Sequence, residues 1–208
     1  MLLNRRCKVT FIAHGATIYT DENRFSDNEK YPPLNDAGEK EIEKICEFLK
    51  KRAVRNDKIY SSAGARAYES ADIIANLYKN EVEIVDDLKP RQCGEWNNMT
   101  FQQLFKRQRA NLATLIKSPD EKFCENSESL TEFVERVGAS INKIIDENIG
   151  NRIIIVTYPD VIQAAIVHAL DLPREKMFNF FIKTGSATQI SYYEKFNSLK
   201  YSGYVPMF

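Results

Sequence analysis

The run Arg152-Ile153-Ile154-Ile155-Val156-Thr157 constrains the fold more than any other stretch of the chain. Four successive β-branched aliphatic residues show no polar alternation, so both faces of such a strand must be covered, as in the centre of a parallel sheet. Parallel neighbours need long crossovers, usually helical. Helical patterns flank the run on both sides. Leu130, Phe133, Val134, Val137, Ile141, Ile144 and Ile145 recur at helical spacing from about Ser129 to Asn148, and Val161, Ile162, Ala165, Ile166 and Leu170 follow Tyr158-Pro159-Asp160. The 208 residues suffice for one α/β domain with a full core. The expected fold is therefore a three-layer α/β/α sandwich with a mostly parallel central sheet, in one domain over 1–208.

The remaining elements fit that architecture. Residues 8–13 read as a buried strand closed by His14-Gly15, and 18–35 as a long polar loop of the kind that borders a site. Asn35 offers an N-cap for a helix carrying Ile42, Ile45, Cys46 and Leu49 to about Arg52. Residues 57–62 form a second strand, followed by a helix with Ala67, Ala71 and Ile74 inward, and 83–86 form a third. Thr100 caps a helix expected from Phe101 towards Lys117. Segments 178–183, 186–194 and 199–205 read as closing strands, with a hairpin turned near Phe196-Asn197-Ser198.

Composition excludes several function classes. Lys plus Arg equal Asp plus Glu at 29 each, so the chain lacks the overall positive field of a non-specific nucleic-acid binder. The local cluster Lys106-Arg107-Gln108-Arg109 reads as a solvated helix face. No apolar stretch reaches the roughly 20 residues of a membrane span, and Met1 to Cys7 runs into a strand, not a signal-peptide core. A cytoplasmic protein is expected. Cys7, Cys46, Cys93 and Cys124 are widely scattered without metal-ligand or redox spacing, which reads as four free thiols and no metal site.

Two residues stand out chemically. His14 leaves the carboxyl end of a strand, where functional side chains of open α/β sheets gather, and Gly15 allows close backbone approach beside it. Arg66 falls in the first turn of a helix, where the dipole disfavours a cation unless an anion is bound against the free N–H groups. His168 lies inside a helix and reads as a packing or surface residue.

Taken in order, the strand ending in His14-Gly15, Leu34-Asn35-Asp36-Ala37-Gly38-Glu39, Ile59-Tyr60-Ser61-Ser62 with Arg66-Ala67, Gly94-Glu95-Trp96 with Met99-Thr100, Glu128-Ser129-Leu130 with Arg136-Val137, and the Ile-Ile-Ile-Val strand resemble the phosphoglycerate mutase-like branch of the histidine phosphatase superfamily. The resemblance spans nearly the whole chain. It implies a nucleophilic histidine at His14, phosphate held by Arg66 with Gly15, and no cofactor. It also implies an arginine before the nucleophile, a second histidine and an acid for the leaving group. Ala13, Tyr158-Pro159 and Pro90 stand at those positions, and Ala16 replaces a common polar residue. Arg91, Lys89, Glu95, Asp160 and the Tyr158 hydroxyl are the candidates to compensate. The expected function is a pseudophosphatase that binds a phosphorylated small molecule or phosphoprotein. The alternatives are a slow metal-independent phosphomonoester phosphatase acting through a phosphohistidine at His14, and a pure interaction scaffold; a mutase role is disfavoured because it demands a tight, acid-equipped pocket.

Overall fold

The computed structural model describes residues 4–27, 32–107, 109, 112, 114–115 and 118–207. In chain order the elements are β1 (Arg5–Ala13), α1 (Ile18–Asp21), α2 (Asp36–Lys51), β2 (Lys58–Ser61), α3 (Ala65–Tyr78) and β3 (Val82–Ile84). They continue with α4 (Phe101–Arg107), α5 (Leu130–Glu147), β4 (Arg152–Thr157), α6 (Pro159–Ala169), β5 (Ala187–Tyr193) and β6 (Asn197–Tyr204). One sheet takes the order β3-β2-β4-β1-β5-β6. Pairing is parallel from β3 to β1, and antiparallel where β5 meets β1 and β6. Only β5 therefore runs against the others, as a mostly parallel sheet requires.

Alternation along β1 sorts the core into two layers. Val9, Phe11 and Ala13 pack with Phe133 and Val137 of α5 and Val161 and Ile162 of α6. Ile12 packs on the opposite side with Ile42, Ile45 and Leu49 of α2 and Ile74 of α3. β4 divides likewise, Ile153 and Ile155 with the first layer and Ile154 and Val156 with the second. Both faces of the apolar run are covered, for the reason its sequence demanded. A third, smaller cluster gathers Trp96, Cys93, Leu104, Leu112 and Phe123, with Phe25 against the Trp96 ring.

The helix starts obey local chemistry. Asn35 accepts from the Gly38 N–H at 2.8 Å, and Ser129 with Glu132 forms a capping box at the start of α5. Thr100 and Gln103 bond each other's backbone N–H in the same way before α4. The expected helix beyond Arg107 falls largely outside the described residues. The polar loop after β1 carries the short α1, with Thr17 as its cap. The expectation of a strand at 178–183 is corrected: Arg174–Asn179 form a 3-10 helix and the chain then runs irregularly. Gln163 of α6 donates to the Phe180 carbonyl at 2.6 Å, and the Phe180 N–H turns back to Met177, so neither group is offered to a strand neighbour. The hairpin between β5 and β6 turns at 194–196, just before the expected position.

The loop after β1 and the first turn of α2 touch backbone to backbone. A Cβ on Gly38 would lie 2.1 Å from the Ala16 carbonyl oxygen, and one on Gly15 would lie 2.3 Å from that of Gly38. Backbone cannot yield as a flexible side chain does. Gly38→Ala is expected to lower the unfolding free energy by about 1–3 kcal/mol, the usual cost of overpacking, read as a shift in urea midpoint at unchanged slope.

Candidate functional site

β1 and β4 end in step, with Ala13 opposite Thr157, and the His14 N–H donates to the Thr157 carbonyl at 2.9 Å. α2 and α6, the helices reached from these strands, lie on opposite faces, so a crevice forms at the strands' carboxyl ends, where α/β sheets bind ligands. His14 and Tyr158 are the residues delivered there.

His14 is buried, only 2% exposed, with Nδ1 2.7 Å from the Gly15 carbonyl oxygen. A carbonyl only accepts, so Nδ1 carries the hydrogen and Nε2 keeps its lone pair. Burial, then the Arg66 charge, push the His14 pKa down to about 3, against a smaller upward pull from the Gly15 carbonyl. The ring is therefore neutral at physiological pH, the state a nucleophilic imidazole needs.

Arg66 is the second residue of α3, whose N-cap Gly64 supplies no side-chain cap. The guanidinium is buried over the Tyr158 ring, 4.6 Å from its centroid, and Nη2 donates to the Ser26 carbonyl at 3.2 Å. The same ring meets His14 edge to face at 5.2 Å and 74°. Tyr158, the N-cap residue of α6, thus contacts both the imidazole and the guanidinium. Ser70 ties the cluster to α3. It stands one turn beyond Arg66, accepts the Gly15 N–H at 3.1 Å and donates to the Arg66 carbonyl at 2.7 Å.

These bonds also give Gly15 a structural part. Its N–H serves Ser70 and its carbonyl orients His14, so it sets the imidazole tautomer and allows the close approach to α2. Arg91 is buried: its N–H donates to Asp160 Oδ2 at 2.9 Å, Nε donates to the Glu128 carbonyl at 2.9 Å, the guanidinium lies 4.8 Å from the Phe123 centroid, and Nη2 has no hydrogen-bond partner among the described residues. Burial lowers its pKa to about 10. The charge that acts on His14 is that of Arg66. Glu95 is exposed on the 3-10 turn Gly94–Trp96 and does not join the buried cluster. Asp160 comes closer, since Arg66 is among the charges it feels; desolvation raises its pKa, opposed first by the N–H groups of Arg91 and Val161.

Two residues gained importance only in three dimensions. Arg136 grips Glu128 at 2.8 and 2.9 Å and donates to the Asp87 and Lys89 carbonyls at 2.6 and 3.1 Å, which fixes the segment carrying Pro90. Ser70 could have been found by its spacing of four from Arg66 on one helix face. Among the described residues no group of three or more His, Cys, Asp or Glu is placed to hold a metal ion, and no helix is long and apolar enough to cross a membrane.

The sequence model of the histidine phosphatase superfamily (branch 1) matches residues 9–203. The chain belongs to that superfamily. A phosphoglycerate mutase-like protein 4 from Arabidopsis thaliana is 30% identical over 176 residues, covering 83% of this chain and 76% of that one. An adenosylcobalamin/alpha-ribazole phosphatase from Escherichia coli K12 is 21% identical over 93% of this chain and 94% of that one. The solved structure of Bacillus stearothermophilus YhfR superposes with a TM-score of 0.86 at 20% identity, covering 96% and 98% of the two chains. The superfamily thus includes phosphatases among this chain's relatives, and its fold is the one described above.

The buried neutral histidine has a thermodynamic signature. Its folded pKa, about 3, lies below the ordinary 6.5, so between those values the unfolded chain binds a proton that the folded chain refuses. Stability is therefore fully present above pH 6.5 and falls as pH drops towards 3, with a slope of up to about 1.4 kcal/mol per pH unit. Urea unfolding at pH 5 and pH 7.5 should show a larger loss for wild type than for His14→Gln, which removes the titration.

Proposed function

We propose that this histidine phosphatase superfamily member is a pseudophosphatase: it binds a phosphorylated small molecule or phosphoprotein at Arg66 and turns it over at close to background rate. The observation that carries this reading is the Tyr158 ring packed on both His14 and Arg66, where a second cationic donor would be needed. Phosphoryl transfer spreads negative charge over the equatorial oxygens, so catalysis consists largely of positioned positive charge. Arg66 supplies one such charge. Ala13 supplies none beside His14, and losing one aimed donor costs on the order of a hundredfold to a thousandfold in rate. Pro90, anchored through its backbone neighbours by Arg136, has no proton to give a departing alkoxide, a contribution of roughly a hundredfold to ten-thousandfold. These losses overlap and do not simply multiply.

Binding asks less than turnover. The Arg66 guanidinium is the charge offered to a dianionic phosphate, at the start of α3 where the Ala67 and Tyr68 N–H groups already donate to the Gly64 carbonyl. His14, Arg66 and Tyr158 are all buried, so binding there requires the cluster to open. The cytoplasm is the compartment in which the four free cysteines would stay reduced.

One observation favours the second reading, a slow metal-independent phosphatase. The Nδ1–H to Gly15 bond holds a neutral ring with Nε2 available. In that reading Nε2 attacks phosphorus, the ester oxygen leaves with a proton from Asp160 or water, and water then hydrolyses the phosphohistidine. Turnover of p-nitrophenyl phosphate decides between the two. Wild type is expected near background, and Ala13→Arg with Tyr158→His is expected to raise the rate by about a hundredfold or more. Robust wild-type turnover that disappears in His14→Ala would establish the phosphatase instead. Calorimetric binding of phosphoserine, lost in Arg66→Ala, tests the binding half of the proposal.

A further inference from the structure

A cleft of about 220 Å³ opens towards the amino ends of β1 and β4, at the end of the sheet away from His14. Lys8 lies roughly 20 Å from His14 along β1, at 3.3 Å per strand residue. Lys8 and Arg152 stand opposite each other in the parallel register, Arg52 and Arg55 follow the end of α2, and Lys200 lies on β6. All five line the cleft, and among the described residues none that lines it is acidic. Asp57 pairs Arg55 from outside the lining, at 2.9 and 3.1 Å. In a chain whose charges balance overall, this is a local concentration of one sign. The negative end of the α2 dipole accounts for Arg52, but Lys8, Arg152 and Lys200 lie on strands.

A second, independent feature points to a ligand with an organic part. Gln189 lines the same cleft and is only 4% exposed. Its Nε2 donates to Thr10 Oγ1 at 3.1 Å, while Oε1 is buried with no hydrogen-bond partner among the described residues. Turning the carboxamide over would leave Nε2 unpaired instead, so one polar atom lacks a partner in either orientation. Buried polar groups are rarely left so. Beside it, Tyr201 is held edge to face on the buried Phe48 ring, with centroids 6.3 Å apart and planes at 87°, and burial holds the Tyr201 pKa up at about 12, so its hydroxyl keeps its proton.

We propose that this cleft is a second binding site, separate from the His14 cluster, for a small organic polyanion of the nucleoside diphosphate kind. The phosphates face the basic side chains, the flat ring lies against Tyr201, and a ring amino group donates to Gln189 Oε1. No bond is made or broken there.

Calorimetric titration of the full chain with ADP tests this, with sulfate at equal ionic strength as the comparison. ADP is expected to bind at least about tenfold more tightly than sulfate, and Arg52→Glu with Lys200→Glu, both exposed positions, to weaken it by about tenfold or more. In the unaltered chain, the side-chain amide resonances of Gln189 should shift on ADP addition, a readout independent of any variant. ADP binding no tighter than sulfate, binding that survives the double charge reversal, or unmoved Gln189 resonances would overturn the proposal. Loss of ADP binding in Arg66→Ala would also overturn it, by assigning the ligand to the His14 cluster.

Discussion

The parallel pairing of β1 with β4 is the constraint on which the site depends. Ala13 sits opposite Thr157, and the His14 N–H continues the ladder by one bond to the Thr157 carbonyl. Because side chains alternate along a strand, a slip of one residue would turn both ends to the wrong layer. The apolar run of β4 prevents that slip, since Ile153 and Ile155 belong to one core layer and Ile154 and Val156 to the other. Packing far from His14 thereby places its imidazole beside Tyr158.

Within the cluster, burial and charge act in the same direction on His14. Desolvation and Arg66 both disfavour the imidazolium, and only the Gly15 carbonyl opposes them. Arg66 itself is buried, with its charge set against the face of Tyr158 and the Ser26 carbonyl. A cation held over an aromatic ring is partly compensated for lost hydration. These contacts offset part of the cost of placing a positive side chain at a helix start whose dipole disfavours it. The same Tyr158 ring meets the imidazole edge to face, at the place where the proposed loss of turnover puts a missing cation.

The surrounding loops are organised from a distance. Arg136 on α5 gathers the carbonyls of Asp87 and Lys89 while pairing Glu128, and Asp160 receives the N–H of Arg91. These contacts join α5, α6 and the irregular segment after β3 into one rim. Arg91 is a sequence candidate to lend charge to the site, and in the structure its Nε goes to the Glu128 carbonyl while its guanidinium lies against Phe123. Side-chain direction in an irregular segment depends on partners distant in sequence, so spacing could not reveal it.

The layered fold, the parallel strands and the placement of His14 and Arg66 were legible in the chain because they follow from local periodicity and helix-end chemistry. Asn35 and Thr100 capped where they were expected, and the Ile-Val run behaved as a strand covered on both faces. Residues 178–183 misled, because their apolar character serves packing beside α6 while Gln163 takes the Phe180 carbonyl. By itself, then, the sequence determined the architecture, the superfamily and the absence of charge at Ala13 and Pro90, all of which are properties of residue type and order. Only the tertiary structure decided that Gly15 orients the imidazole, that Tyr158 joins His14 to Arg66, and that five basic residues meet around Gln189. Those outcomes depend on where separate elements bring their side chains together, and no local pattern encodes that.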